Sequence, residues 1–316
     1  MSGGISDYTQ YIVDLRRHMW LSGVPTELRR LIWQVATTGK YISAKIQESN
    51  RKLAGLQNIY HEEQLALDRS SDEILVAQLA NTGLVREYLS EEREAPIKLG
   101  TGTEKYIITA DPLDGSSLVE TNLTIGTIIG IHKKEPLGST GRKTLCGALY
   151  ILYGPLITMV YSAGKGSHEF VLNREGEYVL SQANIQLKEK GSIYSLGGLR
   201  KDWLSGHAAF ANSLEEQGYK LRYSGGLVPD LNQILIKQGG IFSYPQLRSN
   251  PRGKLRLLFE LQPMAFLFEG AGGAATNGEK DILDIKVDHL DQCAPIYIGS
   301  KHEVALAKQH TARGKA

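Results

Sequence analysis

Cysteine is nearly absent: the 316 residues carry two, Cys146 and Cys293, far apart and outside any CxxC spacing. That argues against a disulfide scaffold and a cysteine-built zinc site, leaving two reduced, partly buried thiols as the expectation. No run approaches the ~20 apolar residues of a membrane-spanning helix. Met1 to Trp20 mixes Asp7, Asp14, Arg16 and Arg17 with isolated apolar positions and lacks the apolar core of a signal peptide. An excess of one charge sign is missing too. Lys and Arg number 36 against 34 Asp and Glu, a formal net charge of +2, so no global field points to nucleic acid or a membrane. Neither a Walker loop nor a cysteine-nucleophile motif is present. The expectation is a cytoplasmic protein that handles a small anionic substrate with local charges.

Hydrophobic residues make up 41% of the chain and charged residues 22%, ordinary globular proportions. The length suggests about two domains. Leu28, Leu31, Ile32 and Val35 recur at helical spacing after Pro25 and Thr26, predicting a helix over Thr26–Ile46. Asn50 to Glu63 reads as a polar loop, Gln64 to Ala80 as a second helix, and Leu84–Leu89 as a short strand. The middle is strand-rich, with β-type runs at 105–110, 123–132, 144–152, 156–162 and 168–172 and a hairpin turn at Asn173–Gly176. Beyond about residue 185 strands and helices alternate: strands at 192–196, 219–223 and 241–244, helices at 203–216, 230–237 and 255–269, then a strand at 296–298 and a short C-terminal helix. This pattern predicts a layered α/β protein, divided into residues 1–185 and 186–316.

The chemistry concentrates in Asp111-Pro112-Leu113-Asp114-Gly115-Ser116-Ser117, directly after a predicted strand. Strand ends are where α/β proteins build sites. Pro112 favours a sharp turn that aims Asp111 and Asp114 at one point. Mg²⁺ takes hard oxygen ligands at ~2.1 Å, which carboxylates supply, and the Leu113 carbonyl is a further candidate. Gly115 permits close backbone approach, and a helix starting at Ser116 would offer free N–H groups to a phosphate. Other acids join the set. Glu91-Glu92 follows a predicted strand, and Asp68 lies in a predicted helix; each alone is an ordinary surface feature. Glu260 sits in the apolar run Leu257-Leu258-Phe259-Glu260-Leu261, where a charge needs a partner, either a metal or a structural Arg. Together the acids suit a centre of two or three metals that activates water against a phosphoryl group.

The string from Asp111 to Ser117 is identical to the signature of class 1 fructose-1,6-bisphosphatases and their sedoheptulose-1,7-bisphosphatase relatives, within the lithium-sensitive phosphatase superfamily. The resemblance spans about residues 25 to 305. It implies the layered αβαβα sugar-phosphatase fold, with a metal and regulatory α+β domain followed by an α/β sugar-phosphate-binding domain. It also implies two or three Mg²⁺ per subunit, replaceable by Mn²⁺, on Glu91, Glu92, Asp111, Leu113, Asp114 and Glu260. Asp68 with Glu92 would orient and deprotonate the attacking water, with Glu62 as the acid preceding them. The substrate would meet Asp114, Gly115, Ser116 and Ser117 at one phosphate and Arg222, Tyr223, Tyr244 and Lys254 at the other. Arg222 would come from a neighbouring subunit of a homotetramer.

One departure is marked. The family's Asn-Glu-Gly-Tyr segment is replaced by Leu196-Gly197-Gly198-Leu199-Arg200, so Arg200 is expected to substitute for the missing Asn and Tyr. The reading that follows is hydrolysis of the 1-phosphate of fructose 1,6-bisphosphate, with sedoheptulose 1,7-bisphosphate as a second substrate or the dedicated one. An inositol-monophosphatase-like enzyme shares the DPLDG core but leaves Arg222, Tyr244 and Lys254 unexplained. A non-catalytic sugar-phosphate sensor would have lost a metal acid, and none is lost.

Overall fold

The computed structural model describes residues 13–49 and 60–313, the side chains of 49 and 60–65 excepted. Three helices come first: α1 (Leu15–Leu21), α2 (Thr26–Ser49) and α3 (Tyr60–Ala80). Helix α1 has no counterpart in the sequence expectation; it begins on Asp14, whose side chain accepts from Arg17 N, an ordinary N-cap. Leu28, Leu31, Ile32 and Val35 of α2 are all buried, as their spacing predicts. Most of the loop expected at 50–63 lies outside the described residues.

An eight-stranded sheet follows, from β1 (Val85–Ser90), β2 (Ile97–Lys98), β3 (Tyr106–Asp114) and β4 (Ile125–His132), then, after the one-turn α4 (Gly141–Thr144), β5 (Leu145–Tyr153), β6 (Ile157–Ser162), β7 (His168–Leu172) and β8 (Tyr178–Gln182). Its order is β2-β1-β3-β4-β5-β6-β7-β8. Strands β1 and β3 run parallel, while the other neighbours in the sheet are antiparallel. Every residue of β3 and β4 is buried, because helices cover both faces and no polar face is needed.

The second half supplies β9 (Ile193–Leu196), α5 (Ser205–Glu216), β10 (Lys220–Leu221), α6 (Leu227–Ile236), β11 (Ile241–Tyr244), β12 (Leu255–Arg256), α7 (Gln262–Gly270), β13 (Ala274–Thr276), β14 (Cys293–Ala294), β15 (Ile296–Gly299) and α8 (Lys301–Arg313). A five-stranded sheet runs β10-β9-β11-β15-β13. The single helix expected over 255–269 is instead strand β12, a π-helical turn at Leu257–Leu261, and then α7. Apolar periodicity alone does not separate these three, and single π turns recur at functional sites.

Three apolar cores separate five layers. Helices α1, α2 and α3 pack on one face of the large sheet through Leu31, Val35, Leu75, Ile129 and Leu149, among others. Helices α6 and α7 fill the space between the sheets, where Leu231, Leu235, Met264 and Phe268 meet Ile128 and Tyr150 on one side and Phe242 and Ile298 on the other. Helices α5 and α8 cover the outer face of the small sheet through Phe210, Leu214, Val304 and Tyr297. This is the αβαβα order. Each fully buried Leu, Ile or Phe contributes roughly 1.5–3 kcal/mol, so the middle core, fed from both halves of the chain, holds the two sheets in one body.

Candidate active site

The acids gather where the parallel strands β1 and β3 end. Glu91 extends β1 by donating its N–H to Ala110 O at 3.0 Å, and Glu92 N donates to Ser90 Oγ at 3.2 Å. Strand β3 does not turn at Pro112 as expected; it runs on through Asp114 with a bulge. Asp111 pairs with Ile128 and Asp114 with Gly126, three steps against two. In a regular strand residues three apart point to opposite faces, and the extra residue restores them to one side. Pro112 fits there because a bulge is one of the few places a strand tolerates a missing N–H. Thr127 Oγ1 donates to Pro112 O at 2.8 Å, and Leu113 N donates to Asp111 Oδ1 at 3.0 Å. The Leu113 side chain is buried in the core.

The π turn carries Glu260 into the same place, where its Oε2 accepts the backbone N–H of Arg256. Oxygens of Glu91, Asp111 and Glu260 all lie within 4.8 Å of one another. Asp111 and Glu260 are only 6% and 5% exposed. Burial pushes the Asp111 carboxyl well above the usual range, and the charges of Glu91, Asp114 and Glu260 add to it. Glu260 is raised likewise, by burial and then by Glu91 and Asp114. One guanidinium faces this set: Arg256 Nε lies 3.5 Å from Glu91 Oε1. With Asp114 counted, four carboxylates meet two cations, Arg256 and Lys254; they are under-neutralised, and an all-oxygen donor set suits a hard divalent cation. The residues fit such an ion.

Asp114 stands slightly apart. Both its oxygens receive backbone N–H groups at the start of α6, Leu227 N at 3.3 Å and Val228 N at 2.7 Å. Burial raises its carboxyl to about 6, with the Val228 and Leu227 N–H groups working the other way. Asp114 thus ties the acid cluster to the second half of the chain.

Near Glu92 stands Asp68 of α3. Its carboxyl is pushed up to about 7, first by burial and then by Glu92, while a hydrogen bond with the Ser116 side chain opposes the rise. Among the described residues its Oδ1 has no hydrogen-bond partner. One turn on, Asp72 clamps α3 to β1: Tyr88 Oη donates to Asp72 Oδ1 at 2.8 Å and Arg93 Nε to Oδ2. Glu92 sits exposed at the rim, raised by partial burial of its head and by Glu91 and Asp72. Glu62 belongs to α3, but its side chain lies outside the described residues.

Gly115 adopts a left-handed φ of 78°, which favours glycine. The helix expected from Ser116 is a single 3₁₀ turn, Ser116–Leu118, too short for a helix dipole to hold a phosphate. Ser116 is half-buried, its side chain hydrogen-bonded with Asp68, and Ser117 is exposed.

Next to the acids opens a cleft of about 620 Å³ lined by Glu91, Arg252, Lys254, Arg256, His289 and Cys293 among others. Lys254 is near enough to Glu91 and Asp114 to lower both carboxyls, and its Nζ sits 5.5 Å from the Tyr244 ring centroid. Tyr223 neighbours Tyr244, since burial and then the Tyr244 hydroxyl raise its phenol. Arg222 is exposed just beyond β10, its backbone fixed by donation to Tyr194 O at 2.8 Å. Lys254, Tyr244 and Tyr223 are therefore brought together beside the acids, with Arg222 at the outer edge.

Arg200, expected to substitute for the missing Asn and Tyr, is held by α5 and its own 3₁₀ turn. It binds Asn212 Oδ1 at 2.7 Å, lies 3.6 Å from Glu215, and faces the Trp203 ring. The replaced segment has its own reason: a Cβ on Gly197 would lie 2.4 Å from Tyr244 Cδ2, so the glycine makes room for the Tyr244 ring. Arg256 is absent from the sequence expectation; its place four residues before the acid Glu260 in an apolar run was the available signal, since Glu260 needed a metal or an Arg as partner.

The fructose-1-6-bisphosphatase N-terminal domain family matches residues 8–183, and the C-terminal domain family matches residues 187–312. The class 1 fructose-1,6-bisphosphatase of Pelobacter propionicus is 48% identical over 307 residues, covering 97% of this chain and 95% of the relative. That of Geobacter metallireducens is 47% identical, covering 96% and 97%. The crystal structure of Leishmania major fructose-1,6-bisphosphatase in holo form superposes with a TM-score of 0.87 at 31% identity, covering 96% of this chain and 99% of that one. A bulged DPLDG strand, a buried acid cluster and a basic cleft beside it accompany similarity over nearly the whole length, and the chain belongs to the class 1 fructose-1,6-bisphosphatase family.

Proposed function

We propose that this chain hydrolyses fructose 1,6-bisphosphate at its 1-phosphate, giving fructose 6-phosphate and phosphate. The observation that carries the reading is the convergence of Glu91, Asp111 and Glu260 within 4.8 Å at the edge of a cleft bearing Lys254 and Arg256. The relatives and structure named above are all fructose-1,6-bisphosphatases, and no observation favours a dedicated sedoheptulose-1,7-bisphosphatase.

The ion is Mg²⁺, two or three per subunit, with Mn²⁺ as a substitute. Glu91, Asp111 and Glu260 would hold it, with Glu92, Asp114 and the Leu113 carbonyl completing the set. When bound it polarises phosphoryl oxygens and acidifies water. The chain's own residues do the rest. Asp68 Oδ1 accepts the proton of the attacking water, Glu92 orients that water, and Glu62 is the acid preceding them. Ser116, Ser117 and Gly115 border the departing phosphate. Lys254 supplies a point charge and Arg222 a fork of donors for the distal phosphate, with Tyr223 and Tyr244 beside them. The exposure of Arg222 supports its being lent to a neighbouring active site in a homotetramer. Residues 1–185 would carry the metal acids except Glu260, and residues 186–316 the sugar-phosphate contacts. No helix among the described residues is long and apolar enough to cross a membrane.

The test is kcat/KM with Mg²⁺ for fructose 1,6-bisphosphate, fructose 1-phosphate and inositol 1-phosphate. Preference for the bisphosphate is expected, and preference for the inositol ester would overturn the reading.

Two further outcomes follow from the geometry. Gly197→Ala should push the Tyr244 ring aside, because real Cβ atoms do not sit at 2.4 Å; KM should rise several-fold with little change in kcat. Chelation should make stability fall with rising pH. Asp111 and Glu260 have raised carboxyls, so between the ordinary carboxylate range and their folded values the native state holds more protons than the unfolded one. Their contribution is full below about pH 4 and is lost as pH climbs through the folded values. Burial holds His18, His132 and His207 below the usual imidazole range, which works the other way up to about pH 6.5, so the window is taken above it: thermal melts in EDTA from pH 7 to 8 should show a falling Tm, and added Mg²⁺ should reverse the fall at pH 8. A Tm that rises with pH over that window in EDTA contradicts it.

A further inference from the structure

The segment from Arg222 to Gly226 carries two exposed substrate candidates, Arg222 and Tyr223, and then two glycines. Little in it is rigid by itself. Gly225 has φ +99°, and a Cβ on Gly226 would lie 3.1 Å from Leu118 Cδ1, so this backbone lies against the 3₁₀ turn that follows the DPLDG bulge. Its far end is held where Asp114 receives Leu227 N and Val228 N. Its near end is held by another carboxylate. Asp230 is 1% exposed; its Oδ1 accepts Ser224 N at 2.8 Å and its Oδ2 accepts the Ser195 hydroxyl at 2.9 Å. Ser195 lies in β9, one residue beyond Tyr194, whose carbonyl takes Arg222 N.

Asp230 is not among the residues lining the cleft, and it reaches the acids only through its charge, which raises the Asp114 carboxyl. It joins the Arg222–Tyr223 loop, through Ser224, to the rigid sheet. We propose that Asp230 is a positioning residue of the distal-phosphate site, its buried carboxylate fixing the Arg222–Tyr223 pair by bridging Ser224 to Ser195; this rests on the bisphosphatase reading above. Removing the carboxylate leaves the Ser224 N–H and the Ser195 hydroxyl without their acceptor in a dry place, and the glycine-rich segment then samples many conformations. Binding the distal phosphate must re-order it. Asn preserves the bridge: its Oδ1 accepts from Ser224 N, and its amide N–H donates to Ser195 Oγ with the roles reversed.

The experiment compares Asp230→Ala, Asp230→Asn and Ser195→Ala with the unaltered enzyme, using fructose 1,6-bisphosphate and fructose 1-phosphate with Mg²⁺. For the bisphosphate, Asp230→Ala should raise KM about tenfold or more with kcat within about threefold, the signature of lost binding common to ground and transition states. Its kcat/KM for fructose 1-phosphate, which lacks the distal phosphate, should not change. Asp230→Asn should stay near the unaltered enzyme, and Ser195→Ala should raise the bisphosphate KM by a smaller factor at nearly unchanged Tm. The proposal is overturned if the bisphosphate KM is unmoved, if both esters lose kcat/KM together, or if Asp230→Asn is as damaging as Asp230→Ala. Should Asp230→Ala fail to fold, Ser195→Ala decides by the same criteria. An unaltered enzyme showing no preference for the bisphosphate over fructose 1-phosphate would sink the substrate reading itself, a result read without any variant.

Discussion

Glu260→Gln is expected to lower kcat by at least about 10³-fold, since a metal's stabilisation of transition-state charge is worth several kcal/mol and each 1.4 kcal/mol is a decade. The same substitution should raise the Tm of the chelated chain by a few degrees. Glu260 is buried against Glu91 and Asp114, and without a cation its charge is a liability. Gln keeps the size and the acceptor for Arg256 N–H while removing the repulsion. The two effects have opposite signs, which separates a metal ligand from a structural acid. If Glu260 were simply the partner of a structural Arg, the variant would lose stability in EDTA and Mg²⁺ alike. Steady-state kinetics and thermal melts with and without Mg²⁺ decide between them; retained turnover, or a lower chelated Tm, contradicts the assignment.

Asp68→Asn is expected to cost about 10²–10⁴ in kcat, the range for a positioned general base, with KM and Mg²⁺ affinity nearly unchanged. Burial and Glu92 place the Asp68 carboxyl near 7, and the acceptor form is the ionised one. The enzyme's rate should therefore rise as pH climbs through neutrality, and the variant should lose that rise. Asn is close in size and keeps an acceptor for the Ser116 side chain, so a fold defect is not the expected cause. A full pH–rate profile of both proteins checks this. An unchanged profile in the variant would move the base to another residue, with Glu92 the next to test.

The helices and strands carrying long apolar periods were legible: Leu28 to Val35, the β-rich middle, and the alternation after residue 185. So was the acid set, because DPLDG is a dense local string and Glu260 is an acid in an apolar run. What escaped depended on pairing partners distant in sequence. Strand β3 continues through Asp114 because β4 supplies the ladder for a bulge, whereas Pro112 locally reads as a turn. The helix expected at Ser116 shrinks to one turn because Leu118 N closes back on Gly115 O. Arg200 is drawn to Asn212 and Glu215 of α5, partners that no spacing rule near residue 200 reveals. Asp230 occupies an ordinary helix position in the sequence, and no local pattern reveals that Ser195 and Ser224 meet its carboxylate.

The most direct measurement is the identity of the product by ³¹P NMR after Mg²⁺-supported turnover of fructose 1,6-bisphosphate, with a parallel sample in EDTA. Fructose 6-phosphate and inorganic phosphate should accumulate with Mg²⁺, and neither should form in EDTA. Fructose 1-phosphate as the product, or turnover that persists in EDTA, would contradict a metal centre on Glu91, Asp111 and Glu260 that removes the 1-phosphate.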